Sequence, residues 1–321
     1  MIRETFIISM PLPCLAGRRH RCATLTENHK FRSMPQYSYR LLNVFAESRF
    51  SGNPLCVFED GTGLSDDTML NLARQFNLSE TVFLFPAADD ADATLRIFTP
   101  TGELPFAGHP SIGSAHVVQQ SLQREQLTLK TKAGIVALSL QNGYWSLGAP
   151  RSAMESEMRH CDVETAELCH MLGVDHSDVE SSPLWVNAGS EQLLLPLRSL
   201  EALERARPNT AFAESWPGNG IGRKSVFLFA AFKQPDGNSA IRARYFFKSP
   251  TGIGEDPGTG SACINLGAWF FMKVVPMAQQ LEVTQGVEMG RPCLIQLDIS
   301  AHGAIRIGGR VVELGGGHID L

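Results

Sequence analysis

Three ionisable residues stand where the sequence could support proton transfer. Glu80 precedes an apolar, strand-like run, His109 stands between a glycine and a proline, and Asp256 precedes a glycine-rich stretch. A carboxyl group at the mouth of an apolar strand is desolvated, which raises its pKa and suits it to act as acid and base. Each residue also has an ordinary interpretation. Glu80 would then be a surface side chain, His109 a hydrogen-bonded loop histidine, and Asp256 the cap of a helix.

The surroundings of His109 and Asp256 belong to an internal repeat. Residues 95–116 and residues 243–262 both run from an arginine-bearing apolar stretch through Pro-Thr-Gly to a glycine loop that ends in Gly-Ser-Ala. Aligning the two Gly-Ser-Ala tripeptides places His109 opposite Asp256. A protein of two related halves, each supplying one such loop, could form an active site between them.

Gly108 and Gly260 mark the points where each loop passes from a predicted strand to a predicted helix. Glycine lets the backbone approach a ligand closely, and the N-terminus of a helix presents unpaired N–H groups to an anion. Two such termini facing one cleft would hold a carboxylate or stabilise an enolate-like transition state. We expect His109 to lie on a loop rather than on a buried helix face, and Glu255 to face solvent. Two tight strand–helix turns without a ligand remain the alternative.

Short strand-like runs dominate the sequence, and each half carries one longer helix behind its glycine loop, predicted over residues 110–120 and 262–273. A second apolar run, residues 226–229, repeats the run 82–85 that follows Glu80. This alignment makes Lys224 the counterpart of Glu80. These features predict an α+β fold of two topologically similar domains related by a pseudo-two-fold axis. Each domain is expected to be a mixed or antiparallel sheet or barrel around a central helix.

The chain of 321 residues exceeds what one core usually fills, which favours two domains. We predict a tail over residues 1–36, disordered or preceding the native start. A first domain over 37–125 and a second over 126–321 follow, and the last strand is free to return and pack on the first domain. A targeting peptide is the alternative for the tail, although two prolines interrupt its apolar stretch.

Hydrophobic residues make up 43% of the chain and charged residues 19%, with a formal net charge of −5. This composition is typical of a soluble globular protein, and we expect neither nucleic acid nor a membrane as partner. Seven cysteines without a CxxC motif favour a reduced, cytoplasmic compartment. The nine histidines lack metal-ligand spacing, so we expect no metal site. The stretch 218–225 looks like a phosphate loop, but a strand follows it, which is the wrong context for nucleotide binding.

Four ordered blocks resemble the PhzF-like isomerase family of phenazine biosynthesis. They are Phe50-Ser51-Gly52-Asn53-Pro54-Leu55, Ser79-Glu80-Thr81, residues 99–110 and residues 255–262. The resemblance extends over residues 37–321, although the family commonly carries a larger residue, such as alanine, where this chain has Gly258. It implies two domains of the diaminopimelate-epimerase type, an active site between them, no cofactor and a homodimer.

By the same resemblance, Glu80 is the proton-shuttling residue, while His109 and Asp256 orient and polarise the substrate. The positions that match substrate-binding residues are Gly108, Gly260 and Ser261. The implied activity is that of a cofactor-independent isomerase. It would move a proton between carbons of a small carboxylate-bearing metabolite through acid/base catalysis by Glu80.

Two alternatives remain. A non-catalytic, small-molecule-binding protein could keep the same fold, because a fold does not determine a function. The related epimerases and racemases use two opposed cysteines, for which the aligned positions here are Ala107 and Pro257. Neither is a cysteine, which disfavours two-base epimerisation. Cys263 is expected to be a small core residue rather than a catalytic thiol.

Overall fold

A computed structural model describes residues 34–88, 90–234, 239–274 and 277–321. The tail predicted over residues 1–36, with its targeting alternative, lies almost entirely outside these described residues. Residues Gln36–Leu321 form one compact unit.

The first half of this unit, residues 36–148, ends with a long helix and three strands. Its elements are β1 (Gln36–Val44), β2 (Asn53–Phe58), α1 (Asp66–Phe76), β3 (Glu80–Phe85), β4 (Ala93–Thr99), β5 (Gly102–Leu104), α2 (Gly108–Leu122), β6 (Gln126–Thr131), β7 (Gly134–Gln141) and β8 (Tyr144–Gly148). Helix α1 begins where the Ser65 side chain accepts a hydrogen bond from the Thr68 N–H.

The second half repeats this order with longer connections. Its elements are β9 (Glu157–His160), α3 (Thr165–Leu172), β10 (Leu184–Asn187), β11 (Gln192–Pro196), α4 (Leu200–Arg205), β12 (Ser225–Lys233), β13 (Ser239–Ser249), β14 (Gly252–Asp256), α5 (Gly260–Lys273), β15 (Gln279–Gln285), β16 (Cys293–Ile299), β17 (Ile305–Gly309) and β18 (Val311–Asp320). Short 3-10 turns lie at Ala153–Glu155, His176–Asp178 and Thr210–Phe212.

The strands of the two halves pair in the same pattern. In the first half β2 lies parallel to β3 and β4 parallel to β6, as β11 lies parallel to β12 and β13 parallel to β15 in the second. Antiparallel pairs such as β3–β4 and β12–β13 complete each half, so both are mixed sheets. The prediction of an α+β fold with two topologically similar halves is confirmed.

The halves join through the strands at their ends. β8 of the first half pairs with β17 of the second, and β18 returns to pair with β1. β9, which follows β8 in the chain, pairs with β10 of the second half. The last strand thus returns to the first strand of the unit. The domain boundary predicted at residue 125 would separate β6 from its parallel partner β4, and this boundary stays a prediction.

Helices α2 and α5 lie at the centres of the two halves. Most of the residues from His109 to Val118 and from Gly260 to Phe271 are buried. Gly113 lets α2 approach the sheet closely, because a Cβ atom there would lie 2.4 Å from Leu55 Cδ2.

The repeat aligns differently in three dimensions from the way its tripeptides indicated. The two helices begin at Gly108 and Gly260, so the second Gly-Ser-Ala opens α5 whereas the first lies inside α2. His109 and Ser261 are each the second residue of their helix. The counterpart of His109 is therefore Ser261, and the alignment with Asp256 is wrong.

The cross-strand pairs explain this shift. Phe98 lies opposite Glu103 and Phe246 lies opposite Glu255, yet five positions separate the first pair and nine separate the second. The second hairpin is therefore the longer one, so the residues after it lie further along the sequence than the tripeptide alignment assumed.

These two glutamates form equivalent ion pairs. Arg96 donates to both carboxylate oxygens of Glu103 at 2.8 and 2.7 Å, and Arg244 to both oxygens of Glu255 at 2.8 and 3.0 Å. The expectation that Glu255 faces solvent is wrong, because it neutralises a buried guanidinium group.

The strand register also corrects the counterpart of Glu80. Thr81 and Val226 occupy equivalent positions against the antiparallel partners of β3 and β12. The residues before them are Glu80 and Ser225, so Ser225 and not Lys224 is the counterpart.

Candidate active site

His109 stands at the start of helix α2 and not on a loop. It is the second residue of α2 and is followed by a proline, which fits the first turn because its missing N–H has no intrahelical partner there. The side chain is 6% exposed, so the expectation of a loop histidine away from any buried helix face is wrong. Burial lowers the pKa of His109 to about 3, against a smaller effect of the Pro54 carbonyl. The imidazole is therefore neutral at pH 7.

Glu80 is the first residue of β3 and faces this imidazole. Glu80 Oε2 lies 3.5 Å from His109 Nδ1, and the Glu80 side chain is 16% exposed. Burial and then the charge of Asp256 raise the pKa of Glu80 to about 8, while the charge of Arg223 opposes the rise. The surface-glutamate interpretation is wrong, and most Glu80 side chains are protonated at pH 7.

Asp256 ends strand β14 beside this pair. Its carboxylate accepts hydrogen bonds from Asn53 Nδ2 at 3.0 Å and from the Thr259 hydroxyl. Burial raises the pKa of Asp256, and hydrogen bonds from these and neighbouring donors oppose the rise. Asp256 accepts these hydrogen bonds, whereas Glu80 Oε2 accepts none from the described residues. Asp256 is therefore the carboxyl group that ionises first, and its charge raises the pKa of Glu80. The cap position of α5 belongs to Thr259, so Asp256 is not its cap.

Asn53 connects the two halves at this point. Its Nδ2 donates to Asp256 Oδ1 at 3.0 Å and to the Gly258 carbonyl at 3.1 Å, and it lies 3.5 Å from His109 Nδ1. In the sequence, Asn53 is only part of a turn signal and of one block of the family resemblance. A lone asparagine gives no sign of a partner 203 positions away.

The second half contributes a polar cluster around Ser261. Gln192 Nε2 donates to Ser261 Oγ at 2.7 Å, and Asn265 Nδ2 donates to Gln192 Oε1 at 2.6 Å. Tyr245 lies beside Gln192 and Ser225, and burial raises the pKa of its phenol. Apart from Ser261, these residues have no chemical signal in the sequence, because they come from separate elements that meet only in the fold.

The glycines at 108 and 260 open the two helices, and the residues before them form no side-chain cap. The first intrahelical hydrogen bonds come from the N–H groups of Ser111 and Ala262. The amides of Gly108 and Gly260 therefore have no intrahelical partner and are available to a ligand oxygen.

The structure also changes which residues occupy the positions of the two opposed cysteines of the related epimerases. Ala107 and Thr259 each precede the first residue of a helix, so Thr259 rather than Pro257 is the counterpart of Ala107. Neither is a cysteine. Cys263 is fully buried on α5, and burial raises the pKa of its thiol, as expected for a core residue.

The glycine-rich stretch 218–222 forms a turn that leads into β12, the strand context predicted for it. Asn219 Oδ1 accepts hydrogen bonds from the N–H groups of Ile221 at 3.2 Å and Arg223 at 2.9 Å. The charge of Arg223 acts on Glu80 and Tyr245. Within residues 34–88, 90–234, 239–274 and 277–321, no three His, Cys, Asp or Glu side chains are grouped so as to hold a metal ion.

Known proteins are similar to this chain in sequence and in fold. Residues 42–317 match the profile of the family described as phenazine biosynthesis-like protein, PhzC-PhzF. The chain belongs to this family. A relative from Pasteurella multocida, named an uncharacterized isomerase, is 38% identical over 291 residues, which cover 88% of this chain and 94% of the relative.

A second relative is the trans-2,3-dihydro-3-hydroxyanthranilate isomerase of Pseudomonas aeruginosa. It is 34% identical over 264 residues, which cover 80% of this chain and 88% of the relative. The crystal structure of a PhzF-family phenazine biosynthesis protein from Bacillus anthracis has a TM-score of 0.79 at 22% identity, with coverage of 90% of this chain and 100% of that one.

These similarities confirm that this PhzC-PhzF family member is an isomerase with a fold of the diaminopimelate-epimerase type. In the part of the chain that the structure describes, no helix has the length and apolarity needed to cross a bilayer. The homodimer, the cytoplasmic location and the roles of the six predicted site residues stay predictions.

Proposed function

We propose that this PhzF-type isomerase moves a proton between two carbons of a small carboxylate-bearing metabolite, with Glu80 as acid and base. The observation that supports this most directly is the unequal environment of two carboxyl groups in the site, those of Asp256 and Glu80. Asp256 is surrounded by donors that favour its anion, and the pKa of Glu80 is raised to about 8. A pKa in this range lets one group both take and release a proton near neutral pH.

The reaction begins with the ionised fraction of Glu80. This carboxylate removes a proton from a carbon next to a conjugated or carboxylate-stabilised centre, and the electron pair of the broken C–H bond moves into that system. The protonated Glu80 then forms a new C–H bond at a second carbon and returns to its starting state. Negative charge that develops on a substrate oxygen is stabilised by the free amides at the starts of α2 and α5.

The neutral His109 ring supports this role because it forms no permanent ion pair with Glu80. A protonated histidine at 3.5 Å would favour the Glu80 anion and hold its pKa low. Burial keeps the imidazole neutral instead, with a pKa lowered to about 3.

The inequality of the two halves favours proton transfer between carbons over racemisation. Two opposed bases suit inversion at one carbon, but Glu80 has Ser225 as its counterpart and His109 has Ser261. A serine hydroxyl without a base to activate it does not remove a proton from carbon. One base that serves two carbons on the same face of a substrate fits this arrangement.

Deuterium incorporation tests the proposal. The first substrate to try is trans-2,3-dihydro-3-hydroxyanthranilate, the compound in the name of the Pseudomonas relative. In deuterium oxide the wild type should place deuterium at the rearranged carbon, and Glu80→Gln should lower the rate by about 10³-fold or more. Glu201→Gln, on the exposed side of α4, is the matched control and should react like the wild type.

Two outcomes would contradict the proposal. Wild-type turnover by Glu80→Gln would remove Glu80 from the reaction. If a panel of small carboxylates binds but none exchanges or rearranges, and Glu80→Gln leaves their affinity unchanged, the chain is a binding protein with the fold of an isomerase.

A further inference from the structure

The hydroxyl group of Ser261 ends a chain of buried hydrogen bonds whose direction is fixed. The chain starts at the backbone N–H of Ala188, which donates to Asn265 Oδ1 at 2.8 Å. A backbone N–H can only donate, so the side-chain oxygen of Asn265 must face it. Asn265 Nδ2 then donates to Gln192 Oε1 at 2.6 Å and to the Ser190 carbonyl at 2.7 Å.

The orientation of Asn265 fixes that of Gln192. Because Gln192 Oε1 accepts from Asn265, Gln192 Nε2 is the atom that faces Ser261 Oγ, at 2.7 Å. Gln192 is 2% exposed and Asn265 is 0% exposed, so a flipped amide would leave buried groups facing groups of the same kind. The Ser261 hydroxyl thus accepts a hydrogen bond inside the protein, and its own proton is left for another acceptor.

A second chain of hydrogen bonds ends in another hydroxyl group, that of Thr259, whose proton does have an acceptor in the protein. The Thr259 N–H donates to Gln285 Oε1 at 3.0 Å, and Gln285 Nε2 donates to Thr259 Oγ1 at 3.0 Å. The Thr259 hydroxyl in turn donates to Asp256 Oδ2. Both chains end in a hydroxyl at the start of α5. The Thr259 proton has a protein acceptor, whereas the described residues supply none for the proton of Ser261.

We infer that Gln192 and Asn265 are positioning residues that direct an amide N–H at Ser261 Oγ and so leave the Ser261 hydroxyl proton for donation to the ligand. The identity of that ligand as a substrate rests on the proposed function. The chain of hydrogen bonds adds the class of group bound at Ser261, which is an oxygen acceptor such as a carboxylate. The start of α5, where Ser261 is the second residue, favours the same choice, because helix N-termini attract anions.

Neutron diffraction from crystals exchanged into deuterium oxide tests the direction of the chain without any substrate. The expected map has an amide deuteron of Gln192 pointing at Ser261 Oγ and the hydroxyl deuteron of Ser261 pointing away from Gln192. A side-chain oxygen of Gln192 facing Ser261, or a Ser261 deuteron donated to Gln192, would overturn the inference.

Binding of two probes tests the consequence for the ligand. Anthranilate and its neutral amide, anthranilamide, can be compared by isothermal titration calorimetry. The wild type should prefer anthranilate, and Ser261→Ala and Gln192→Met should each weaken anthranilate binding about tenfold. Because Gln192 acts through Ser261, the double variant should bind no more weakly than Ser261→Ala alone. Additive losses, or a wild type without preference for anthranilate, contradict the inference.

Two further variants separate positioning from general damage. Gln192→Glu removes the N–H donor, so Ser261 should donate to the new carboxylate and the preference should shift from anthranilate towards the amide. Gln285→Met breaks the other chain, and its effect should add to that of Ser261→Ala. Thermal unfolding of each variant identifies any that fail to fold, and the neutron result on the wild type stands in that case. A further outcome is that anthranilate binds as described while none of the small carboxylates tested for turnover exchanges deuterium. That result would uphold the inference and reject the proposed function.

Discussion

Asn53 Nδ2 lies 3.0 Å from Asp256 Oδ1, which joins the start of β2 to the end of β14. The same nitrogen donates to the Gly258 carbonyl at 3.1 Å, so it holds both the carboxylate and the loop before α5. The anion kept at this position raises the pKa of Glu80, a residue of the other half. The raised pKa of Glu80 therefore depends on both halves of the repeat being folded against each other.

Replacing Asn53 with leucine should raise the pKa of Asp256 further, because the hydrogen bond from Asn53 opposes that rise. A protonated Asp256 would no longer act on Glu80. A hydrogen bond to a charged group contributes about 1.5–3 kcal/mol, so turnover should fall about tenfold to a hundredfold. The deuterium-exchange rate and the carbon-13 shift of the Asp256 carboxyl measure the two effects. Exposed Asn71→Leu is the control, and unchanged turnover in Asn53→Leu would show that the contact is dispensable.

Glu80 should make the stability of the protein fall as the pH rises. Its pKa is about 8 in the folded protein against about 4.3 in an unfolded chain. Below pH 4 both states hold the proton and the group has no effect. Between about pH 4 and pH 8 the unfolded state ionises first, so the free energy of unfolding decreases until the folded state ionises as well.

Glu80→Gln removes this dependence. The variant should be several kcal/mol more stable than the wild type at pH 9 and about as stable at pH 4, as measured by urea unfolding. Glu125→Gln, which replaces an exposed glutamate outside the site, should show no such difference. A stability difference that is the same at both pH values would mean that Glu80 is not a desolvated carboxyl group.

Arg223→Gln should raise the pKa of Glu80, because the charge of Arg223 now lowers it. In the proposed mechanism kcat/KM rises as Glu80 ionises, so its pH profile should move to higher pH by roughly half a unit. High salt should shift the wild-type profile in the same direction and the variant's profile less, since Arg223 is exposed and its charge is screened. Arg205→Gln removes an exposed charge from α4 and serves as the control. Identical profiles for Arg223→Gln and the wild type would exclude this effect.

Gly258→Ala should destabilise the protein although the family resemblance implies a larger residue at this position. A Cβ atom at 258 would lie 2.7 Å from the sulfur of Cys293 and 3.3 Å from Phe45 Cδ2. Overpacking of this kind costs about 1–3 kcal/mol, and Cys293→Ala in the same chain should restore part of it. Urea unfolding measures both. Gly102→Ala, whose Cβ would have no neighbour within 4 Å, should change little. A double variant no more stable than Gly258→Ala would rule out Cys293 as the cause.

Much of the fold follows from local sequence patterns. The helices predicted over 110–120 and 262–273 lie inside α2 and α5, and the glycines at 108 and 260 begin them. Apolar periodicity and turn residues act over a few positions, so a sequence is enough to reveal them. The register of the repeat is different, because it depends on the length of two hairpins. The matching tripeptides pointed to Asp256 as the counterpart of His109, where the strand pairs and helix starts select Ser261.

The sequence alone establishes the family, the repeated α+β architecture and the residues Glu80, His109 and Asp256 as candidates, because these follow from residue types in order. It does not establish their protonation. A pKa of about 8 for Glu80 and about 3 for His109 arises from burial and from charges contributed by distant elements. Asn53, Gln192 and Asn265 become visible only in the fold for the same reason. Desolvation and hydrogen-bond direction are properties of how segments pack, and no local pattern encodes them.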